Sequence, residues 1–258
     1  MLNTYTSYQL IAKDIGKAID RVEAQPTVER DTKYYLENIT KVKSIEQFVK
    51  DDRLFKYAMK AHGLQDMAYA KAFMVKALKE GISDRDSFAN KLTDKRYAEF
   101  VDTYNFEAHG ETATIFSKAQ QGTVDKYLRQ TLEENAGKDN EGVRLALYFQ
   151  RKAPSIKSFY QVLADPALAK VVRTALALPE SFASADIDRQ VKFFEEKLKI
   201  ENISDPKKLG EFLKRFTSLW EINNPSSPVQ QSAGLLFGAP VSYGVSTDLM
   251  FAMQKLRF

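Results

Sequence analysis

The chain has 258 residues, 44% hydrophobic and 28% charged, and its 38 Lys and Arg against 34 Asp and Glu leave a formal net charge of +4. This is the balance of a soluble globular protein of one large or two small domains, which excludes disorder throughout, collagen and a membrane bundle, while the evenly spread charge implies neither nucleic acid nor an anionic membrane as partner. The absence of Cys excludes disulfides, thiolate metal sites and a Cys nucleophile, and the 11 Gly and 8 Pro, six of them between Pro225 and Gly244, leave the rest of the chain to long helices.

Residues 1–26 open with Met1 to Ala12, which carry no charge. This start fits a frayed helix, or a flexible leader read by a specialised export apparatus. It lacks the basic and apolar regions of a secretory signal, and no run reaches the ~18 apolar residues of a membrane span, so a cytoplasmic chain is expected. Tyr8, Ile11, Ile15, Ala18, Ile19 and Val22 mark one amphipathic helix ending before Pro26.

Residues 27–106 and 138–222 read as two copies of one helical module. YYLENITKVKSIEQF (34–48) lies without a gap over LALYFQRKAPSIKSF (145–159), which pairs Ser44, Ile45 and Phe48 with Ser155, Ile156 and Phe159. Further on, Leu54, Lys56 and Leu64 match Leu168, Lys170 and Leu178, and Ile82, Ser83 and Asp84 match Ile203, Ser204 and Asp205 after an insertion near Ser181 to Asp186. Ser44 with Gln47 reads as a capping box. Asp165-Pro166 and Asp205-Pro206 read as capped helix starts, with Asp52-Arg53 and Asp84-Arg85 in those places in the first copy. Met67, Ala70, Met74, Ala77 and Leu78 form one apolar stripe, and Ile187, Val191, Phe194 and Leu198 its counterpart. The aromatic residues, among them Phe48, Phe159 and Trp220, are assigned to the core.

Between the copies, residues 107–137 hold an apolar set that includes Ile115, Phe116, Val124, Tyr127, Leu128 and Leu132. This predicts one helix, or two meeting near Gly122, followed by a loop from Ala136 to Asn140. The acidic residues Glu133, Glu134, Asp139 and Glu141 lack the register of a calcium loop and are read as a solvated connection.

Residues 223–258 differ from all that precedes. From Ile222 through Thr247 there is no charge, and Leu235, Leu236, Phe237, Val241, Tyr243 and Val245 form an apolar group punctuated by Pro225, Pro228 and Pro240. Such a stretch is a poor continuous helix and a poor linker, so these six residues are assigned to partner binding, self-association or docking on the chain itself. Gly234 and Gly238 mark a turn or a close backbone contact. Leu249, Met253 and Leu256 restore helical spacing at the end.

No HExxH, Walker loop, GxGxxG or GxSxG elbow is present, so no catalytic, cofactor or metal residues are assigned. His62 is read at a helix end before Gly63, where a cation favours the dipole. An enzyme of dispersed carboxylates would call on Glu107, His109 and Glu111 in one concave pocket. A nucleic-acid-binding regulator would need Arg144, Arg151, Lys152 and Lys157 on one face.

MLNTYTSYQLIAKD at the start, SIEQFVKDDRLFKYAMKAHGL with ISDRDSFANKL in the first copy, and SIKSFYQVLADPALAKVVRTALAL in the second resemble an uncharacterised alphaproteobacterial family whose genes lie among flagellar genes. The resemblance implies a motility context and supplies no catalytic residues. Together these readings predict an all-α, non-enzymatic interaction protein of flagellar assembly, export or motility. Its expected partner is a protein, with a flagellar component as the candidate that the resemblance implies.

Overall fold

The computed structural model describes residues 2–224; the apolar group of Leu235 to Val245 and the terminal helical spacing lie outside them. Every regular element among the described residues is helical, as the apolar periodicity requires. The N-terminal segment forms two helices where one is expected, α1 (Thr4–Ala12) and α2 (Ile15–Glu23). Asp14 makes the break: its carboxylate accepts from Lys17 N at 3.0 Å and so caps a new helix.

The first half continues through α3 (Pro26–Ile39), α4 (Ile45–Lys50), α5 (Asp52–Ala61), α6 (Lys71–Glu80), α7 (Phe88–Lys91), α8 (Arg96–Thr103), α9 (Phe106–His109) and α10 (Gln121–Asp139). The second comprises α11 (Glu141–Lys152), α12 (Phe159–Ala164), α13 (Pro166–Ala175), α14 (Ile187–Lys197), α15 (Ile200–Ser204) and α16 (Pro206–Asn223). Two buried apolar clusters result, and the break at Asp14 lets the N-terminal helices serve different ones. Val22 of α2 joins the first core, while Tyr8 of α1 is buried among residues of α11 to α16. A polar clasp fixes α1 there: Thr4 N donates to Glu221 Oε2 at 2.9 Å, and Asn140 Nδ2 donates to Thr4 Oγ1 at 2.9 Å.

The connector differs from its expected form. The helix begins only at Gln121, which leaves Ile115 and Phe116 exposed. At its other end α10 runs through the predicted loop to Asp139, and Asn140 alone separates it from α11. The Asn140 side chain accepts from Gly142 N and Val143 N and so starts α11 at once. Two glycines serve close packing at this junction. A Cβ on Gly137 would lie 2.7 Å from Arg144 Cδ, and one on Gly142 would lie 2.3 Å from Trp220 Cδ1.

The capped starts at Asp165-Pro166 and Asp205-Pro206 are present, with each carboxylate accepting from first-turn amides. In the first half the cap of α5 is Asp51, not Asp52, because Asp51 Oδ1 accepts from Arg53 N and Leu54 N at 3.0 Å. Asp84 caps no helix; it accepts from Asp86 N in a turn, and α7 starts after Ser87.

The pairing of Ser44 with Ser155 is also corrected. Ser155 lies in a short 3-10 turn after α11, and the residue that caps α12 is Ser158. With Ser44 set against Ser158, residues 26–64 and 140–178 share several local bonds at matching positions. Tyr34 and Tyr148 donate to Asp51 and Asp165. Gln47 and Gln161 each take a bond from the amide before the capping serine. Both α5 and α13 end in a Schellman turn, in which Leu64 N donates to Met59 O and Leu178 N to Arg173 O. In this register Phe48 faces Val162 and Phe159 faces Ile45, so Phe48 and Phe159 are both buried but hold different positions. The apolar stripes are also shorter than expected: Met74, Ala77 and Leu78 are buried on α6, and Val191 and Phe194 on α14, whereas Ile187 is exposed.

The left-handed residue of the Schellman turn is Gly63 (φ 69°) in the first half and Ala177 (φ 56°) in the second. A side chain there crowds the following carbonyl at a cost of about 1–2 kcal/mol. Glycine removes that cost and gives back part of the gain as unfolded-state entropy. Ala177→Gly is therefore expected to stabilise the protein by about 0.5–1 kcal/mol, read as a rise in the urea midpoint. An unchanged or lower midpoint would refute it.

Candidate interaction surface

The junction of the two cores is held by charge. Glu133 of α10 is 2% exposed and sits between two guanidinium groups. Arg129 Nε donates to its Oε1 at 3.0 Å, while Arg151 of α11 grips both oxygens, Nε to Oε1 at 2.8 Å and Nη2 to Oε2 at 2.7 Å. Arg129 also donates to Leu147 O at 3.0 Å across the junction. Beside it, Lys60 of α5 pairs with Glu134 at 3.0 Å, and Lys152 of α11 pairs with Glu99 of α8 at 3.4 Å. The acidic stretch read as a solvated connection is thus helical, and its first member is a buried tie between the halves.

These ion pairs also bear on the basic residues considered for nucleic acid. Arg144, Arg151 and Lys152 face Glu141, Glu133 and Glu99 respectively, so three of the four named side chains are neutralised in place. Glu107, His109 and Glu111 do not converge on a pocket. Glu107 accepts from Ser83 Oγ at 2.7 Å, the His109 ring rests on Phe116, and Glu111 faces Lys43 at 3.7 Å. Among the described residues no group of three or more His, Cys, Asp or Glu is placed to hold a metal ion.

His62 follows α5 as the spacing suggests, but it carries no cation to the helix end. The side chain is buried between Phe100 and Tyr104, with ring centroids 5.3 and 6.1 Å away, and neither ring nitrogen has a hydrogen-bond partner in the fold. Burial, reinforced by Lys126 and Lys152, holds its pKa well below the ordinary histidine value. The unfolded chain binds a proton there below about pH 6.5 and the folded chain does not, so this contribution is fully present above that pH and is lost as the pH falls. Leu176 occupies the matching place in the second half and suggests the test. His62→Leu is expected to raise stability by about 1 kcal/mol at pH 7.5 and to lessen the loss between pH 7 and 5 in urea titrations. An acid limb as steep as in the wild type would exclude His62 as its source.

Two open surfaces stand out among the described residues. A groove of about 380 Å³ is floored by Leu176, Leu198 and Phe212 and rimmed by Lys197, Lys208, Arg215 and Glu211. A shallower hollow of about 300 Å³ runs along α3 beside the end of α2, where Glu23, Glu29 and Glu37 flank Leu36, Thr32 and Lys33. The residues assigned to partner binding from sequence, Leu235, Leu236, Phe237, Val241, Tyr243 and Val245, lie outside the described residues. No described helix is long and apolar enough to cross a membrane.

Fold and surfaces define an all-α protein with two apolar cores joined through a buried ionic tie. The chain belongs to the DUF1217 family, described as proteins of unknown function, whose model matches residues 61–209. That match runs across the junction, from the end of α5 into α16. A crystal structure of an Agrobacterium tumefaciens protein is similar to it, with 54% identity, a TM-score of 0.80, and coverage of 86% of this chain and 94% of that one. No curated protein matches the chain. These likenesses agree with the family resemblance in the sequence and carry no information on flagellar genes.

Proposed function

We propose that the protein is a non-enzymatic helical scaffold in flagellar assembly, export or motility, and that it binds a protein partner through residues 223–258. The observation that carries this reading is the charge-free run from Ile222 through Thr247 with its apolar group, which begins in the last turn of α16. An uncharged apolar stretch of this length gains from being covered, and a partner surface covers it. The dispersal of Glu107, His109 and Glu111 to separate partners supports a binding role over the carboxylate enzyme. We also infer that the halves arose by internal duplication, supported by the bonds shared between residues 26–64 and 140–178. Gene deletion tests the motility role. Loss of swimming, with filaments shortened or missing by electron microscopy and restored by the intact gene, is the expected result. A deletion strain that swims normally on normal filaments would refute it.

A further inference from the structure

We infer that mild acid opens helices α3 to α9 of the first half while the second half stays folded, with His62 as the residue that senses the proton. The two halves bury separate apolar clusters, and a unit with its own core can open by itself. They differ in the residue that precedes the left-handed turn: the first half places His62 there and the second Leu176. Both histidines of the chain lie in the first half, and His109 is exposed. The Glu133–Arg151 bond keeps α10 on α11 when the helices before it open.

The closed first half has no place for a proton on this ring. Neither nitrogen has a hydrogen-bond partner in the fold, Phe100 and Tyr104 wall the side chain, and the charges that act on it, Lys126 of α10 and Lys152 of α11, repel an imidazolium. Other charged groups in this corner hold partners of their own. Arg96 binds Asp94 and the Gly63 carbonyl, Glu99 faces Lys152 at 3.4 Å, Asp102 faces Lys118 at 3.2 Å, and Lys60 faces Glu134 at 3.0 Å. Opening releases the ring to water, where it binds a proton below its ordinary pKa of about 6.5. The opening constant therefore rises about tenfold per pH unit below that value, and about 30-fold in all between pH 7.5 and 5.0. Glu46 and Asp52 are held below the ordinary carboxylate range by Lys79 and Lys71, so they take up protons only below this window. The second half contains no histidine, and no such proton acts on it. This response involves none of residues 223–258 and stands apart from the partner role proposed for them.

Urea titrations of the full chain at pH 7.5 and 5.0 test the inference with two probes. Trp220, the one tryptophan, is buried in the second cluster and its fluorescence reports that half, whereas helical circular dichroism reports both. Acid is expected to move the first loss of helical signal to lower urea and to leave the Trp220 midpoint nearly in place. Hydrogen exchange at pH 5.0, corrected for the intrinsic rate, should assign that first loss to α5 and α8 while α13 and α16 stay protected. His62→Leu and His62→Gln, neutral at both pH values, are each expected to abolish the acid shift, and His109→Gln to keep it. Equal acid shifts of the two probes would show one cooperative unit and overturn the inference. An early loss in α13 or α16, or an acid shift that persists in the neutral His62 variants, would overturn it as well.

Discussion

Glu133→Ala is expected to destabilise the fold by about 3–5 kcal/mol, the range for removing one partner of a buried ionic group. The carboxylate is 2% exposed, and its loss strands Arg129 and Arg151, whose side chains are 12% and 28% exposed. Solvent relieves Arg151 in part, which places the effect toward the lower end. The loss comes from the stranded cations more than from any net gain of the pair, and that distinction is measurable. Glu133→Leu combined with Arg151→Leu should cost less than Glu133→Leu alone, because the second change removes a cation that the first leaves uncompensated. Urea unfolding of Glu133→Leu, Arg151→Leu and the double variant reads the comparison. A strictly additive double variant would mean that the two side chains are not coupled.

The second large effect is expected at Phe48. Its ring is fully buried in the first core, 4.7 Å from Tyr104 and 5.8 Å from Phe55, and Phe100 and Phe106 close the same cluster. Tyr104 is held in turn by hydroxyl contacts to Tyr35 at 2.7 Å and Thr123 at 2.9 Å, so the surrounding side chains have little freedom to collapse into a void. Phe48→Ala should therefore cost about 3–5 kcal/mol through lost burial and the cavity left behind. The same truncation at Tyr160, which is 53% exposed, should fall within about 0.5 kcal/mol of the wild type. Equal denaturation midpoints for the Phe48 variant and the wild type would contradict the placement of this ring.

What the sequence made legible follows from how local each signal is. Asp165-Pro166 and Asp205-Pro206 could be read directly, since a capping carboxylate and a proline at the first helical position act within one turn. In Asp51-Asp52 either carboxylate could cap, and only the backbone separates them: Asp51 is extended at φ −78°, ψ 94°, while Asp52 already belongs to the helix. Ser155-Ile156 imitates Ser44-Ile45, but the 3-10 turn through Pro154 delays the next helix until Phe159. The break at Asp14 is hidden because apolar spacing continues across it, although Tyr8 before it and Val22 after it are buried in different cores.

The roles of Glu133 and His62 escape the sequence for a different reason. A glutamate near Gly137 looks like part of a connection until Arg151 arrives from the next helix, and Gly137 itself makes room for Arg144 rather than ending α10. His62 stands at the end of α5 as its place before Gly63 indicates, yet its charge state depends on Phe100, Tyr104, Lys126 and Lys152, all distant along the chain. Burial of a polar group is a tertiary property, and it escapes patterns that extend over one or two turns.

The proposal of a helical scaffold that presents an uncharged binding segment is tested most directly by complementing the deletion strain with Leu236→Ser/Phe237→Ser. The variant is expected to keep the wild-type helical circular dichroism and thermal midpoint while failing to restore swimming. Swimming restored to wild-type level by this variant would contradict the account.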